Sequence, residues 1–127
     1  MKNTKGLRKI IGCLDRSQCP ITNTLDLIGD KWTLLVIRDM LFLKKKFFNE
    51  FLKSPEGIAT NILTERLKRL EEHGIIEKRP YRRVPVRHEY TLTRRGQDLR
   101  PLLMAMIRWG NTYIEGTIIP PKEALEK

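Results

Sequence analysis

The segment from Gly57 to Leu92 constrains this chain more than any other. Ile58, Ile62, Leu63, Leu67 and Leu70 recur at the spacing of one helical face, and the run stops at His73-Gly74. Ile75-Ile76 and the alternating His88-Glu89-Tyr90-Thr91-Leu92 then read as strands. Between them lies Lys78-Arg79-Pro80-Tyr81-Arg82-Arg83-Val84-Pro85-Val86-Arg87, a basic turn stiffened by two prolines. The expected unit is an amphipathic helix followed by an arginine-rich β-hairpin. Such a pair places one element in a DNA groove and the second on the adjacent backbone.

The flanking sequence supplies more helices. Ile21 to Ile28 reads as a short amphipathic helix stopped by Gly29, and Asp30 as the N-cap of a helix from Lys31 to Leu43. That helix carries Trp32, Leu34, Leu35, Val36, Ile37, Met40 and Leu41 on nearly every side, which places it at the centre of the fold. Phe47-Phe48 is expected to open a short strand, Phe48 to Ser54 a third helix, and Asn61 to His73 a fourth with Thr60 as its N-cap. Thr93 then caps a long C-terminal helix that Pro101 kinks or splits. Its stripe of Leu99, Leu102, Leu103, Met106, Ile107, Tyr113 and Ile114 exceeds what a domain this small needs for its own core. A second copy is the simplest cover for it. The order predicts a mainly α (α+β) fold, a winged helix-turn-helix with an N-terminal arm at 1–18, the domain at 19–116 and a flexible tail at 117–127.

A chain of 127 residues builds one domain with a real core. No apolar run approaches the ~18 residues of a membrane span, and the basic N-terminus lacks the apolar region of a secretory signal. With two cysteines, a secreted disulfide scaffold is not expected, and the reading is a cytoplasmic protein without membrane contact. The net charge of +10 is concentrated. Residues 1–18 hold five Lys/Arg against one acid, and residues 76–100 hold eight against three, so these two stretches carry nine of the ten excess charges. Clustered positive charge fits a phosphate backbone, whose condensed counterions are released on binding.

The face of the Asn61–His73 helix opposite its apolar side carries Asn61, Thr64, Glu65, Lys68 and Glu72. Thr60, Asn61, Thr64 and Lys68 are the candidates for DNA contact on this helix. Asn pairs with adenine, Lys with guanine, and Thr with a thymine methyl or a phosphate. Glu65 either accepts from a cytosine amine or repels phosphate. Arg66 falls on the core side and is expected to pair with Glu50 or Asp39 rather than with DNA. In the turn, Arg82, Arg83 and Arg87 are the candidates for phosphate or minor-groove contact.

These residues resemble a known family. Cys19-Pro20 and Thr24 through Leu35, with Gly29-Asp30-Lys31-Trp32 at its centre, are similar to the opening of HxlR-type (MarR-like) winged helix-turn-helix transcriptional regulators. Arg38-Asp39, Phe48-Asn49-Glu50, Gly57-Ile58, Leu63 to Leu67, Val84-Pro85, Glu89-Tyr90, Leu92-Thr93 and Trp109-Gly110 continue the match. The resemblance covers about residues 19–110 and implies a homodimeric repressor or activator, with repressor preferred, on an inverted-repeat operator in double-stranded DNA. The chain departs from the family at Ala59, where Ser is usual, at Asn61, where a basic residue is usual, and at Phe47, where Arg is usual.

The resemblance also implies that Cys19 senses electrophiles or oxidants. Cys19 precedes the first helix and has basic neighbours in the arm, a setting that lowers a thiol pKa. Cys13 offers a second thiol, and a disulfide joins 13 to 19 within a chain or links the arms of two chains. An enzyme is not expected, because His73 and His88 have no partners at the spacing of a triad. No metal site or cofactor is expected either, since Cys13, Cys19 and the histidines are irregularly spaced. Trp32, Trp109 and the methionines read as core. The competing reading is an RNA-binding or protein-interaction winged helix, against which Tyr81 is the only aromatic of the basic turn.

Overall fold

The computed structural model describes residues 9–12, 14, 16–83 and 85–125. Helix α1 spans Pro20–Ile28, with proline in its first turn, where the missing N–H costs no hydrogen bond. Asp30 caps α2, Lys31–Phe42, by accepting from the Thr33 N–H at 3.1 Å and from the Thr33 hydroxyl at 2.6 Å. Thr33 is fully buried, and the cap satisfies its hydroxyl. Lys44, with φ 57°, turns the chain out of α2.

The expected strand at Phe47-Phe48 does not form. Phe48–Leu52 is the short helix α3, and Phe47 precedes it in an extended conformation. The Glu50 carboxylate reaches back to accept from the Lys46 and Phe47 N–H groups at 2.9 and 3.1 Å, which commits this stretch to a helix start. What survives of strand character is one hydrogen bond, from the Tyr90 N–H to the Lys46 carbonyl at 2.8 Å.

Helix α4 runs Thr60–Glu72, one residue earlier than expected. Its N-cap is Ala59, whose extended backbone makes no side-chain cap, while its carbonyl accepts the first helical bond from Leu63 at 2.9 Å. Thr60 therefore lies inside the helix and is not its cap. At the other end Gly74 takes φ 71°, the Ile75 N–H bonds to the Leu70 carbonyl at 2.9 Å, and the Gly74 N–H bonds to that of Glu71 at 3.0 Å. This paired closure needs the left-handed residue that glycine supplies without strain.

Two antiparallel strands follow, β1 (Ile76–Arg83) and β2 (Val86–Leu92), which are longer than expected and leave only residues 84–85 between them. Arg82, Arg83 and Arg87 thus sit at strand ends rather than in a long turn. Thr93 caps the single turn α5, Arg94–Gln97, and also donates to the Gly74 carbonyl at 2.5 Å, which ties the hairpin root to the end of α4. Pro101 stands in the first turn of α6, Arg100–Tyr113, so the expected long helix is split there. A last turn, α7 at Lys122–Leu125, lies beside α6, where Arg100 donates to the Leu125 carbonyl at 3.2 Å.

The core sits where α2, α3, α4 and the hairpin root meet, with Ile37, Leu41, Phe51, Leu63, Leu70 and Ile76 all but inaccessible. Leu103 is the one residue of α6 buried with them. Leu102, Met106, Trp109 and Tyr113 lie on its open side instead. Trp109 is 62% exposed and is not core, because its place seven residues after Leu102 puts it on that outward face. Among the described residues no helix is long and apolar enough to cross a membrane.

Candidate nucleic-acid interface

The body of the fold holds α4 by its buried side, Leu63, Leu67 and Leu70, and leaves Thr60, Asn61, Thr64, Glu65, Lys68 and Glu72 exposed. The orientation is locked by Asp30. Its carboxylate accepts from Arg66 Nε at 2.8 Å and lies 3.4 Å from Arg69 Nη1, so the cap of α2 is also an anchor for α4. Arg66 therefore pairs with Asp30 and Glu65, not with Glu50 or Asp39. Both expected partners are engaged elsewhere. Glu50 caps α3, and Asp39 is buried against Arg38, Lys45 and the Ser54 hydroxyl.

Burial alone would push the Asp30 carboxyl up, but hydrogen bonds from Thr33 and Arg66 outweigh it and hold it at about 2. Glu65 is kept below the usual carboxylate range chiefly by its hydrogen bond from Arg66, with Arg69 adding to it. Its charge is thus answered on the helix itself, by Arg66 and by Arg69 one turn away. That leaves Lys68 as the cation of the outward face. The Thr64 hydroxyl donates to the Thr60 carbonyl at 2.9 Å, so its proton is already engaged on the helix backbone.

In the hairpin, Pro80 lies opposite His88 and Arg82 opposite Arg87, so Tyr81 is the extra residue of a bulge. Paired residues point to the same face of a ladder. Arg79, Arg82 and Arg87 therefore share one face with Glu77 and Glu89, while Ile76, Lys78, Tyr90 and Leu92 share the face that begins in the core. Arg79 is paired with Glu77 at 3.1 Å, whereas Glu89 is drawn away by Lys46 at 3.2 Å.

Among the described residues, no carboxylate comes within ion-pair distance of Lys68, Arg82, Arg83 or Arg87, and all four are exposed. Most arginines elsewhere in the fold, including Arg38, Arg66, Arg69, Arg79 and Arg94, meet an acid. The structure brings Thr64 and Lys68 to one cleft with Phe48, Lys78 and Tyr90, and Arg87 to a neighbouring cleft with Phe47, Tyr81 and His88. Arg82 and Arg83 line neither of these clefts and are exposed at the end of β1. Sequence reasoning named Lys78 only as part of the basic turn and Phe47 only as a departure from the family. The signal of Lys78 is its register with Tyr90 and that of Phe47 its contact with Tyr81, neither visible in spacing alone.

Cys19 is exposed at the N-cap of α1. Polar groups of the first turn of α1, the Thr22 N–H foremost, then the Thr22 hydroxyl and the Ile21 N–H, hold its thiol below the usual value against an opposing effect of burial, although none makes a hydrogen bond of full geometry to the sulfur. Cys13 lies outside the described residues, as does most of the basic arm. Among the described residues no cluster of His, Cys, Asp and Glu could hold a metal ion.

The model of the HxlR-like helix-turn-helix family matches residues 27–117. The chain is similar to an HTH-type transcriptional regulator of Synechocystis, sll1512, at 41% identity over 97 residues, covering 76% of this chain and 71% of the relative. Among solved structures it is similar to PA1607, a putative transcription factor, with TM-score 0.73 and 38% identity over 84% of this chain and 75% of that one. It is also similar to the redox regulator HypR in its oxidized form, with TM-score 0.67 and 36% identity over 76% of this chain and 99% of that one. With the family model matching most of its length, the chain belongs to the HxlR-like helix-turn-helix family of transcriptional regulators.

Proposed function

We propose that this protein is a sequence-specific DNA-binding repressor that grips an inverted-repeat operator as a homodimer. Thr60, Asn61, Thr64 and Lys68 of α4 enter the major groove, and Arg82, Arg83 and Arg87 of the wing meet the flanking phosphates or minor groove. The observation that carries this reading is that Lys68 on the outward face of α4 and Arg82, Arg83 and Arg87 at the strand ends of the wing are exposed and, among the described residues, have no carboxylate within ion-pair distance. Exposed cations that no carboxylate answers are the ones that gain most from counterion release.

The dimer is supported by α6 and α1. Leu102, Met106, Trp109 and Tyr113 follow a spacing of four, three and four residues and stay exposed, as do Ile21 and Leu25 of α1. That spacing forms the seam of a paired helix. Trp109 and Tyr113 already contact one another, with ring centroids 5.2 Å apart. Control by oxidants or electrophiles is supported by the exposed Cys19 with its lowered thiol pKa, and by the likeness to a redox regulator. Cys13 is the proposed second thiol.

Selection of bound sequences from random duplexes tests the reading. Two symmetric half-sites about one helical turn apart, or a multiple of it, are expected. Enrichment of asymmetric sites, or stronger binding to structured RNA than to any duplex, overturns it. A reporter placed behind the selected site should be silenced, and activation would reverse the sign. Quinone or hypochlorite should release wild type from that duplex and leave Cys19→Ser bound.

A further inference from the structure

We propose that Phe47 and Tyr81 form a clamp that fixes where the wing presents its arginines, which makes both of them positioning residues. The inference rests on the DNA reading above and adds a part to it. The two rings lie 4.9 Å apart between centroids at an interplanar angle of 53°. Tyr81 is the bulge residue of β1, and a bulge re-aims the side chain it carries. Here it turns the ring toward the segment that precedes α3, while the shift in phase puts Arg82 on the face of Arg87. One residue thus determines both the docking of the wing and the grouping of its cations.

The wing needs such a support. A two-stranded hairpin is marginally stable alone, and Pro80 removes an N–H from the ladder just before the bulge. From Glu77 to Arg87 every described side chain of the hairpin is exposed, so little core packing reaches its outer half. The segment before α3 is well placed to brace it, being itself pinned by the Glu50 carboxylate on the Lys46 and Phe47 N–H groups. From there it holds both strands. The Lys46 carbonyl accepts from Tyr90 of β2 at 2.8 Å, and the Lys46 ammonium sits 3.2 Å from Glu89. Phe47 meets Tyr81 of β1. Without the ring pair, β1 beyond Pro80 keeps, among the described residues, its own short ladder with Val86 and Arg87.

Hydrogen exchange in the free protein, and binding to a fluorescent duplex of mixed sequence at several salt concentrations, test the clamp. Phe47→Ala and Tyr81→Ala should each speed exchange of wing amides and weaken duplex binding about five- to tenfold. The salt slope should fall by about one phosphate. The double variant should lose no more than either single one, and Phe47→Tyr should keep wild-type values. In an Arg82→Ala/Arg87→Ala background, Phe47→Ala should change binding little. Additive losses, or an equal loss without the arginines, overturn the clamp, because the rings would then act by another route. Unchanged wing exchange overturns it as well, and leaves the DNA reading intact. Failure of wild type to bind any duplex at low salt overturns the DNA reading instead. Should Phe47→Ala fail to fold, Tyr81→Ala carries the test, since its ring is half exposed.

Discussion

At Asp30 one carboxylate caps α2 and receives the Arg66 and Arg69 guanidiniums of α4, so a single side chain fixes the angle between the two helices. Its proton affinity reports that role. The group sits at about 2, below the ~3.9 of a free carboxyl, so its stabilisation is complete at neutral pH and is lost as pH falls from about 4 towards 2. Asp30→Asn keeps a capping side chain and removes the charge. It should cost about 1–2 kcal/mol at pH 7 after discounting for partial exposure, and the cost should fade as pH falls through about 2. Urea unfolding across that range checks this, and parallel curves for the two proteins would refute it. Lys68 illustrates the opposite case, a charge with no carboxylate partner among the described residues. Lys68→Ala should leave stability unchanged and relax base preference at one operator position by about 1–3 kcal/mol, measured with single-base variants of the selected duplex. Sequence spacing separated Lys68 from Arg66 correctly by face. It did not find Asp30 as the partner, because a pair 36 residues apart depends on how α2 and α4 cross.

At the scale of elements, local chemistry marked the ends where a side chain or glycine acts within its own turn. Asp30 before α2, Gly74 after α4 and Thr93 before α5 are such cases. It failed at Phe47-Phe48, where apolar bulk reads as strand but Glu50, three residues on, captures the backbone N–H groups for a helix. It also misjudged the hairpin. The prolines suggested a broad turn, yet Pro80 is accommodated beside a bulge and both strands run almost to the tip. That geometry makes the wing a paired ladder with its cations on it, not a loose loop. Arg83→Ala should therefore weaken binding to all duplexes alike and lower the salt slope by about one, with no change in base preference. A slope equal to wild type would place Arg83 away from the phosphates.

For the whole molecule, the question is what covers α6. Pro101 starts this helix and Leu103 seats it on the core, while Leu102, Met106, Trp109 and Tyr113 remain in solvent. In the proposed dimer this seam is buried. Trp109→Glu should then yield monomers in sedimentation and lower affinity for a two-half-site duplex by about a hundredfold or more, since the second half-site no longer binds as part of one body. A Trp109→Glu protein that still sediments as a dimer would move the interface elsewhere.

The apolar period of α4, its polar opposite face, the cap at Asp30, the stop at Gly74 and the clustered charge were all written in the linear order of residues. Each acts over a few positions or depends only on composition. Three matters were settled only when the chain closed on itself. Asp30 became the partner of Arg66, Tyr81 became a bulge facing Phe47, and Leu103 became the buried residue of α6 while Leu102, Met106, Trp109 and Tyr113 stayed exposed. Each depends on the distance between segments far apart in sequence, and no local propensity encodes that distance.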